Sequence, residues 1–458
     1  MSTLSAYNRR FYSWIQYRLA GIGQWFAKLL EDTKHKNSIA VVDGVRAIAA
    51  LLVVAFHISL ITRDQHIWGP NDLSHRLFNS VMLAGASGVT LFFVLSGFLL
   101  FMPYAKSLLF DSPWPLARHF YLRRVFRIVP GYYTSLFLMI LLFHPQYLHR
   151  DHLQDLGLFL TFFMDSSRST FRQLNGPFWT LAVEWQYYMI LPLLASGIRF
   201  IVQRGSLRRR IWALTLCLLG VVAWGLFWRY WGIYLSNHPS KSFLVPRSVL
   251  NVILIFTFGT DGKYLEDFAI GMLVSFCYIF AQNVASGNTF KAMMLRLSPW
   301  LWRAGIVVLL LMALWHYNQN GLHPWPIFDR LFLYFGWLNE ISLATGFGLC
   351  VASILLGSAE LKRLFAWTPL RWIGVISYSL YMWHLPLLVV FMHGIVDHLH
   401  GWNHALEYSL YWVYFSAVVI PFSLLFYLWI EKPWIQLGER IRCATEKRAR
   451  TPRTPPKG

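Results

Sequence analysis

The chain has 458 residues, of which 56 % are hydrophobic and 14 % charged, with 22 tryptophans and a formal net charge of +20. Soluble domains average about 25 % charged residues and rarely hold uninterrupted apolar runs of about 18, so an ordinary soluble protein is excluded and an all-α, polytopic membrane protein is expected. Nucleic-acid binding is excluded too, because Lys and Arg are scattered between apolar runs instead of forming one soluble basic face.

Residues 1–40 are basic and aromatic (Arg9, Arg10, Phe11, Trp14, Arg18, Trp25), with no apolar core leading to a small-residue cleavage site. They read as a cytoplasmic amphipathic segment at the membrane surface. Ten spans follow, at 45–62, 81–103, 130–143, 178–198, 211–231, 265–282, 304–317, 331–356, 372–393 and 408–430. With the N-terminus inside, 31 Lys and Arg fall on the inner side and 9 on the outer, which puts both termini in the cytoplasm. Leu156–Met164 is too short to cross, so it and Val249–Phe258 read as outer-face or re-entrant pieces. The basic tail, 435–458, is expected to be disordered. Cys217, Cys277 and Cys350 lie within apolar runs, and with Cys443 they form no C-x-x-C pair, so they read as packing residues and predict neither a disulfide nor a metal site.

Three constellations could carry chemistry. The first is Asp43-Gly44-Val45-Arg46, leading through an apolar run to His57. Eleven helical steps place His57 roughly 16 Å beyond Arg46 on nearly the same stripe. Glu184, in Trp179-Thr180-Leu181-Ala182-Val183-Glu184, and His384, in Ser377-Tyr378-Ser379-Leu380-Tyr381-Met382-Trp383-His384, reach a similar depth from two other spans. An ionisable group in a span is costly to bury and is a functional candidate by default. A carboxylate beside an imidazole would orient a general base. The bland reading is that such a histidine only bonds a neighbouring helix.

The second constellation is the inner-face group Arg46, Arg118, Arg123, Arg124, Arg127 and Arg371. Arginine forks suit phosphate, although inner loops are basic in any case and anionic lipid would satisfy them. Glu431, in Glu431-Lys432-Pro433, could pair with this group, and Pro433 is expected to end the last span. The third is Gly88-Val89-Thr90-Leu91-Phe92-Phe93-Val94-Leu95-Ser96-Gly97-Phe98, whose small residues allow close approach of a helix or a ligand.

On these motifs the chain resembles the membrane-bound acyltransferase 3 family of bacterial acyltransferases. The resemblance takes in Asp43 to His57, Gly88 to Phe98, Arg124-Val125-Phe126-Arg127, Trp179 to Glu184, Phe268-Ala269-Ile270-Gly271-Met272, Ser377 to His384 and Glu431-Lys432-Pro433, in that order. It covers residues 41–434. Ala47 and Val45 depart from it mildly, standing where glycine and leucine are common.

The resemblance implies transfer of an acyl group, most often acetyl, from cytoplasmic acyl-CoA to a sugar hydroxyl of an extracytoplasmic or lipid-linked glycan, in a bacterial inner membrane. Acyl-CoA is a co-substrate, and no permanently bound cofactor or metal is implied. His57 would act as the base or carry the acyl group itself, the base being favoured because no second nucleophile is in reach. Glu184 and His384 would stand beside it, while Arg46, Arg123, Arg124, Arg127, Arg371 and Ser96 would hold the donor. In the outer loops, Trp68, Arg168, Arg172, Asp261, His393, His398, His400 and Trp402 suit stacking and hydrogen bonding to sugar, although an aromatic belt at the interface explains such tryptophans equally well. Two other readings stand beside this one: a secondary transporter using His57, Glu184 and His384 as a proton relay, which the lack of an internal repeat disfavours, and a non-catalytic scaffold.

Overall fold

A backbone crossing a bilayer must satisfy its own hydrogen bonds, so the apolar runs of this chain fold as helices. The computed structural model describes residues 40–64, 78, 80–283, 287–318, 326–399 and 403–450, and contains no strand among them. The expected amphipathic segment lies, except for Ala40, outside the described residues, as do Trp68, His400 and Trp402.

The helices are α1 (Ala40–Asp64), α2 (Gly88–Phe110), α3 (Ala117–Phe143), α4 (Leu153–Leu160), α5 (Phe178–Val202), α6 (Leu207–Asn237), α7 (Arg247–Thr257), α8 (Leu265–Asn283), α9 (Gly287–Tyr317), α10 (Pro326–Arg330), α11 (Phe332–Leu356), α12 (Ala359–Phe365), α13 (Thr368–Val375), α14 (Ser377–Gly394), α15 (His404–Tyr414), α16 (Ile420–Phe426) and α17 (Lys432–Arg450). Among the described residues, nine helices are long and apolar enough to cross a membrane: α1, α2, α3, α6, α8, α9, α11, α14 and the continuous run from α15 into α17. The 25-residue α5 carries Glu184, Gln186 and Arg199 and, at about 37 Å, is long enough to be a tenth. The protein is an all-α polytopic membrane protein.

Four expectations change at their edges. The third span does not begin at Pro130, because α3 starts at Ala117 and runs through it. A proline costs one helical hydrogen bond but does not stop a membrane helix whose neighbours and side chains repair the loss. Arg123, Arg124 and Arg127 therefore ride on helix α3 instead of a loop. The seventh span is longer than 304–317, since α9 carries Lys291, Arg296 and Arg303 in its first half. The ninth is interrupted at Ile376, between α13 and α14.

The last span does not end at Pro433, and the tail is helical as far as Arg450, with 451–458 outside the described residues. Two π turns, Phe415–Val419 and Tyr427–Glu431, precede α16 and α17. Pro421 and Pro433 lack the N–H that would meet Ala417 and Trp429, which lie in those turns. Each proline thus sits in the first turn of the next α-segment, where its missing donor costs least.

Close packing puts α1 and α2 at the centre. A side chain on Gly97 would strike the Phe268 carbonyl and one on Gly271 the Val94 carbonyl, so α2 and α8 meet backbone to backbone. On α1, Gly44 meets the Phe365 carbonyl, and Gly374 meets that of Asp43. One face of α1 (Val41, Val42, Val45, Ala49) packs with α2, α11 and α12, and another (Ala50, Val54, Ile58, Ile61) with α14 and α15. Of the nine helices, α2 is the most enclosed and α6 and α9 the least, and these two turn Trp212, Leu216, Trp224, Trp300 and Leu310 outward.

The two short apolar pieces, α4 and α7, stay too short to cross, as expected. They are tied together by Asp165, whose carboxylate accepts from Gln186 (2.9 Å) and Lys263, while its carbonyl accepts from the Thr260 amide (2.9 Å). Burial pushes the Lys263 ammonium down, and the Asp165 carboxylate opposes that shift. Arg229, in the second half of α6, is buried against Glu266. The cysteines form no disulfide.

Candidate functional site

The site is built around α1. Toward one end, His57 meets His384 of α14, with His384 Nε2 3.1 Å from His57 Nδ1 and the rings 4.9 Å apart. The backbone selects the tautomers. His384 Nδ1 lies 3.0 Å from the Leu380 carbonyl, which can only accept, so Nδ1 carries the proton and Nε2 the lone pair. His57 Nδ1 lies 2.9 Å from the Val53 carbonyl as well as near His384 Nε2, so it too is the protonated nitrogen, shared between two acceptors. His57 Nε2 is left with the lone pair, and no described residue engages it.

Exposure separates the two rings. His384 is wholly buried, whereas His57 is partly open. Of the two rings, His57 is thus the one that keeps accessible surface, with His384 behind it. Around the pair, Tyr381 stands 5.9 Å from the His384 ring and shares a 2.7 Å hydrogen bond with Thr180, while Phe56 meets His57 edge-on.

The other end of the stripe is polar and dense. Arg46 of α1, Arg124 and Arg127 of α3 and Arg371 of α13 gather there with Asp43, Glu184 and Glu431. Arg371 pairs with Asp43 at 3.7 Å, and the charge of Arg46 acts on Asp43, Arg127 and Glu184. Glu431 is buried, accepts from Ser379 Oγ, and is close enough to feel Arg127 and Arg46. Glu184 accepts from Ser96 Oγ (2.5 Å) and from Tyr188 Oη, and Arg124 lies over the Tyr188 ring at 5.6 Å. The Nε of Arg124 and that of Arg371 are buried without a hydrogen-bond partner among the described residues. An orphaned buried guanidinium N–H is expensive, so this cluster is chemically suited to completion by an oxyanion ligand.

The structure therefore brings His57 to His384, and Ser96 to Glu184, Tyr188 and the arginines. It does not bring Glu184 into hydrogen-bonding contact with either histidine, so the three-member chain that a His/Glu proton relay needs is not formed. Arg118 and Arg123 are exposed, outside this half-buried cluster.

Several residues here escaped the sequence reading. Asn175 donates 2.7 Å to the Met382 carbonyl, which Pro386 leaves without its helical donor, and so fastens the loop before α5 to the helix of His384. Pro386 in an apolar run was a signal that some carbonyl four residues earlier needed a partner. Tyr188, one turn after Glu184, was legible as its i,i+4 neighbour.

A family model described as an acyltransferase domain matches residues 39–428. The chain belongs to this acyltransferase family. Relatives include a Bacillus subtilis protein provisionally named peptidoglycan O-acetyltransferase YrhL, 27 % identical over 79 % of this chain and 50 % of that one. The peptidoglycan O-acetyltransferase OatA of Listeria monocytogenes is 24 % identical over 76 % of this chain and 49 % of its own length. A Staphylococcus aureus protein provisionally named O-acetyltransferase SACOL0978 is 23 % identical over 89 % of this chain and 59 % of its own. The chain thus spans about half the length of the first two of these relatives. No solved structure matches it.

Proposed function

We propose that this acyltransferase-family protein is an integral-membrane O-acetyltransferase that moves an acetyl group from cytoplasmic acetyl-CoA to a hydroxyl of a glycan, such as peptidoglycan or its lipid-linked precursor, beyond the membrane. In this reading both termini lie in the cytoplasm of a bacterial inner membrane, in line with the 31-to-9 split of Lys and Arg. The observation that carries the proposal is His57 Nε2, a lone pair held open on the same helix that delivers Arg46 to the arginine cluster.

The chemistry follows from that geometry. Arg46, Arg124, Arg127 and Arg371 hold the donor phosphates, and the thioester lies near His57. His57 Nε2 takes the proton of the acceptor hydroxyl as its oxygen attacks the thioester carbonyl. The tetrahedral intermediate expels the CoA thiolate, which regains the proton from the imidazolium, so no net proton is consumed. General-base assistance of this kind contributes about 10²–10⁴-fold, and holding donor and acceptor together supplies much of the rest.

The test is transfer from radiolabelled acetyl-CoA in membranes carrying wild type or His57→Ala. The variant is expected to be expressed and folded but to lose transfer by at least about a hundredfold. Wild-type rates in that variant would refute the assignment.

A further inference from the structure

The loop 165–177 before α5 is fastened to the helix of His384 and braced across its own turn. Asn175 bonds the Met382 carbonyl, Thr170 Oγ1 donates to the Met164 carbonyl (2.8 Å), and Thr180 meets Tyr381. Between these anchors, Arg172 (φ +59°) and Leu174 (φ +60°) adopt the left-handed region, which non-glycine residues rarely occupy. Backbone held there persists only where the surroundings over-determine it, and such positions cluster at ligand clamps and active sites.

What the strained backbone displays is a guanidinium with little to do within the protein. The Arg172 side chain lies over the rings of Phe171 (4.9 Å) and Trp179 (5.8 Å), which fixes its direction. Its ion partner is Asp261, 3.6 Å away, with the two side chains 60 % and 47 % exposed, a pairing that contributes little. Arg172 makes no hydrogen bond among the described residues, so the donors of its fork are not satisfied within the protein. The Trp179 ring beneath it is followed directly by Thr180, which bonds Tyr381 at 2.7 Å, and the Tyr381 ring stands 5.9 Å from that of His384. A short chain of contacts thus links Arg172 to the histidine pair, and its charge acts on His57 and Tyr381.

From this placement we infer that Arg172 is an acceptor-recognition residue, whose fork binds an oxyanion carried by the glycan, a sugar-acid carboxylate or a lipid-linked diphosphate, and so seats the acceptor hydroxyl at His57. This rests on the O-acetyltransferase reading of the site. A neutral sugar could use the flanking Trp179 alone, but it would leave a pre-positioned guanidinium beside the reacting centre unused. Bidentate Arg–oxyanion bonding supplies direction as well as attraction, which a reaction needing one chosen hydroxyl exploits.

The experiment compares probes that differ only in charge. One pair is an N-acetylmuramic acid disaccharide with its carboxylate free or converted to the amide, and the other is an undecaprenyl-linked disaccharide with a diphosphate or a neutral ether linkage. Wild type is expected to favour the charged member of at least one pair by roughly tenfold or more in KM. Arg172→Ala and Arg172→Gln should abolish that preference and leave the KM for acetyl-CoA unchanged, while Arg172→Lys should keep part of it. The pair that responds identifies the oxyanion. A preference unchanged in Arg172→Ala, or no preference in wild type, overturns the inference. The same comparison is made by equilibrium binding to His57→Ala protein in nanodiscs, so a lack of acetyl transfer by wild type would count against the proposed function and not against Arg172.

Discussion

At the residue scale, the histidine pair depends on two carbonyls each one helical turn back. A histidine on a helix can donate Nδ1–H to the i−4 carbonyl, and both His57 and His384 do so, at 2.9 and 3.0 Å. That shared habit puts a lone pair on each Nε2. One is used by the partner ring and the other is open, so the pair has a direction. On the proposed function His384 is accordingly a positioning residue, which holds the His57 ring and accepts from its Nδ1–H. Its replacement by Ala is expected to lower kcat on the order of tenfold to a hundredfold with little change in KM for acetyl-CoA. His384→Gln, whose amide oxygen can accept from His57, should recover part of kcat. Steady-state kinetics on the two variants check this, and an Ala variant altered only in KM would place His384 in substrate binding instead. The alternation of apolar and ionisable residues pointed to His57 and His384 as candidates. Which nitrogen is free was not legible, because that depends on the distance between two rings 327 positions apart in the chain.

At the element scale, prolines mark where the helices of this protein run on past the ends their sequence predicts and where they are tied together. Pro130 was expected to begin a span and Pro433 to finish one, yet both are passed by continuous helix. In a membrane the alternative to continuing the helix is exposed backbone in hydrocarbon, a far larger cost than one missing bond. The carbonyl that a proline leaves behind becomes a docking point, as Met382 is for Asn175. Asn175→Ala should leave that carbonyl unpaired and destabilise the fold by about 1–3 kcal/mol. Adding Pro386→Ala restores the helical N–H and should return most of the loss. Thermal unfolding of the single and double variants in detergent measures both effects, and a double variant less stable than Asn175→Ala would contradict the account. The close crossing of α2 and α8 belongs to the same scale. The small residues Ser96, Gly97 and Gly271 were visible as permission for close approach, whereas the partner backbone each one meets became clear only in the fold.

At the scale of the whole molecule, α1 is an axis with an oxyanion-suited cluster toward one end and a free imidazole nitrogen toward the other. Under the proposed function the donor binds at one end and the acceptor at the other, and the two should respond independently to mutation. Arg124→Ala combined with Arg127→Ala is expected to raise KM for acetyl-CoA about tenfold or more while leaving the acceptor KM unchanged. An effect confined to the acceptor would move those arginines out of the donor site.

The sequence by itself determined the class, the helices and the stripe from Arg46 to His57, because the thickness of a bilayer and the 3.6-residue period act on local segments alone. Depth along the membrane normal, counted in the same way, put His57, Glu184 and His384 at one level, but Glu184 bonds Ser96 and lies with the arginines at the other end of the stripe. Depth carries no information about rotation or lateral neighbours. Only the tertiary structure decided that Glu184 turns toward Ser96, Tyr188 and the arginines while His384 turns toward His57, since that choice is made by how α2, α3, α5 and α14 pack around α1.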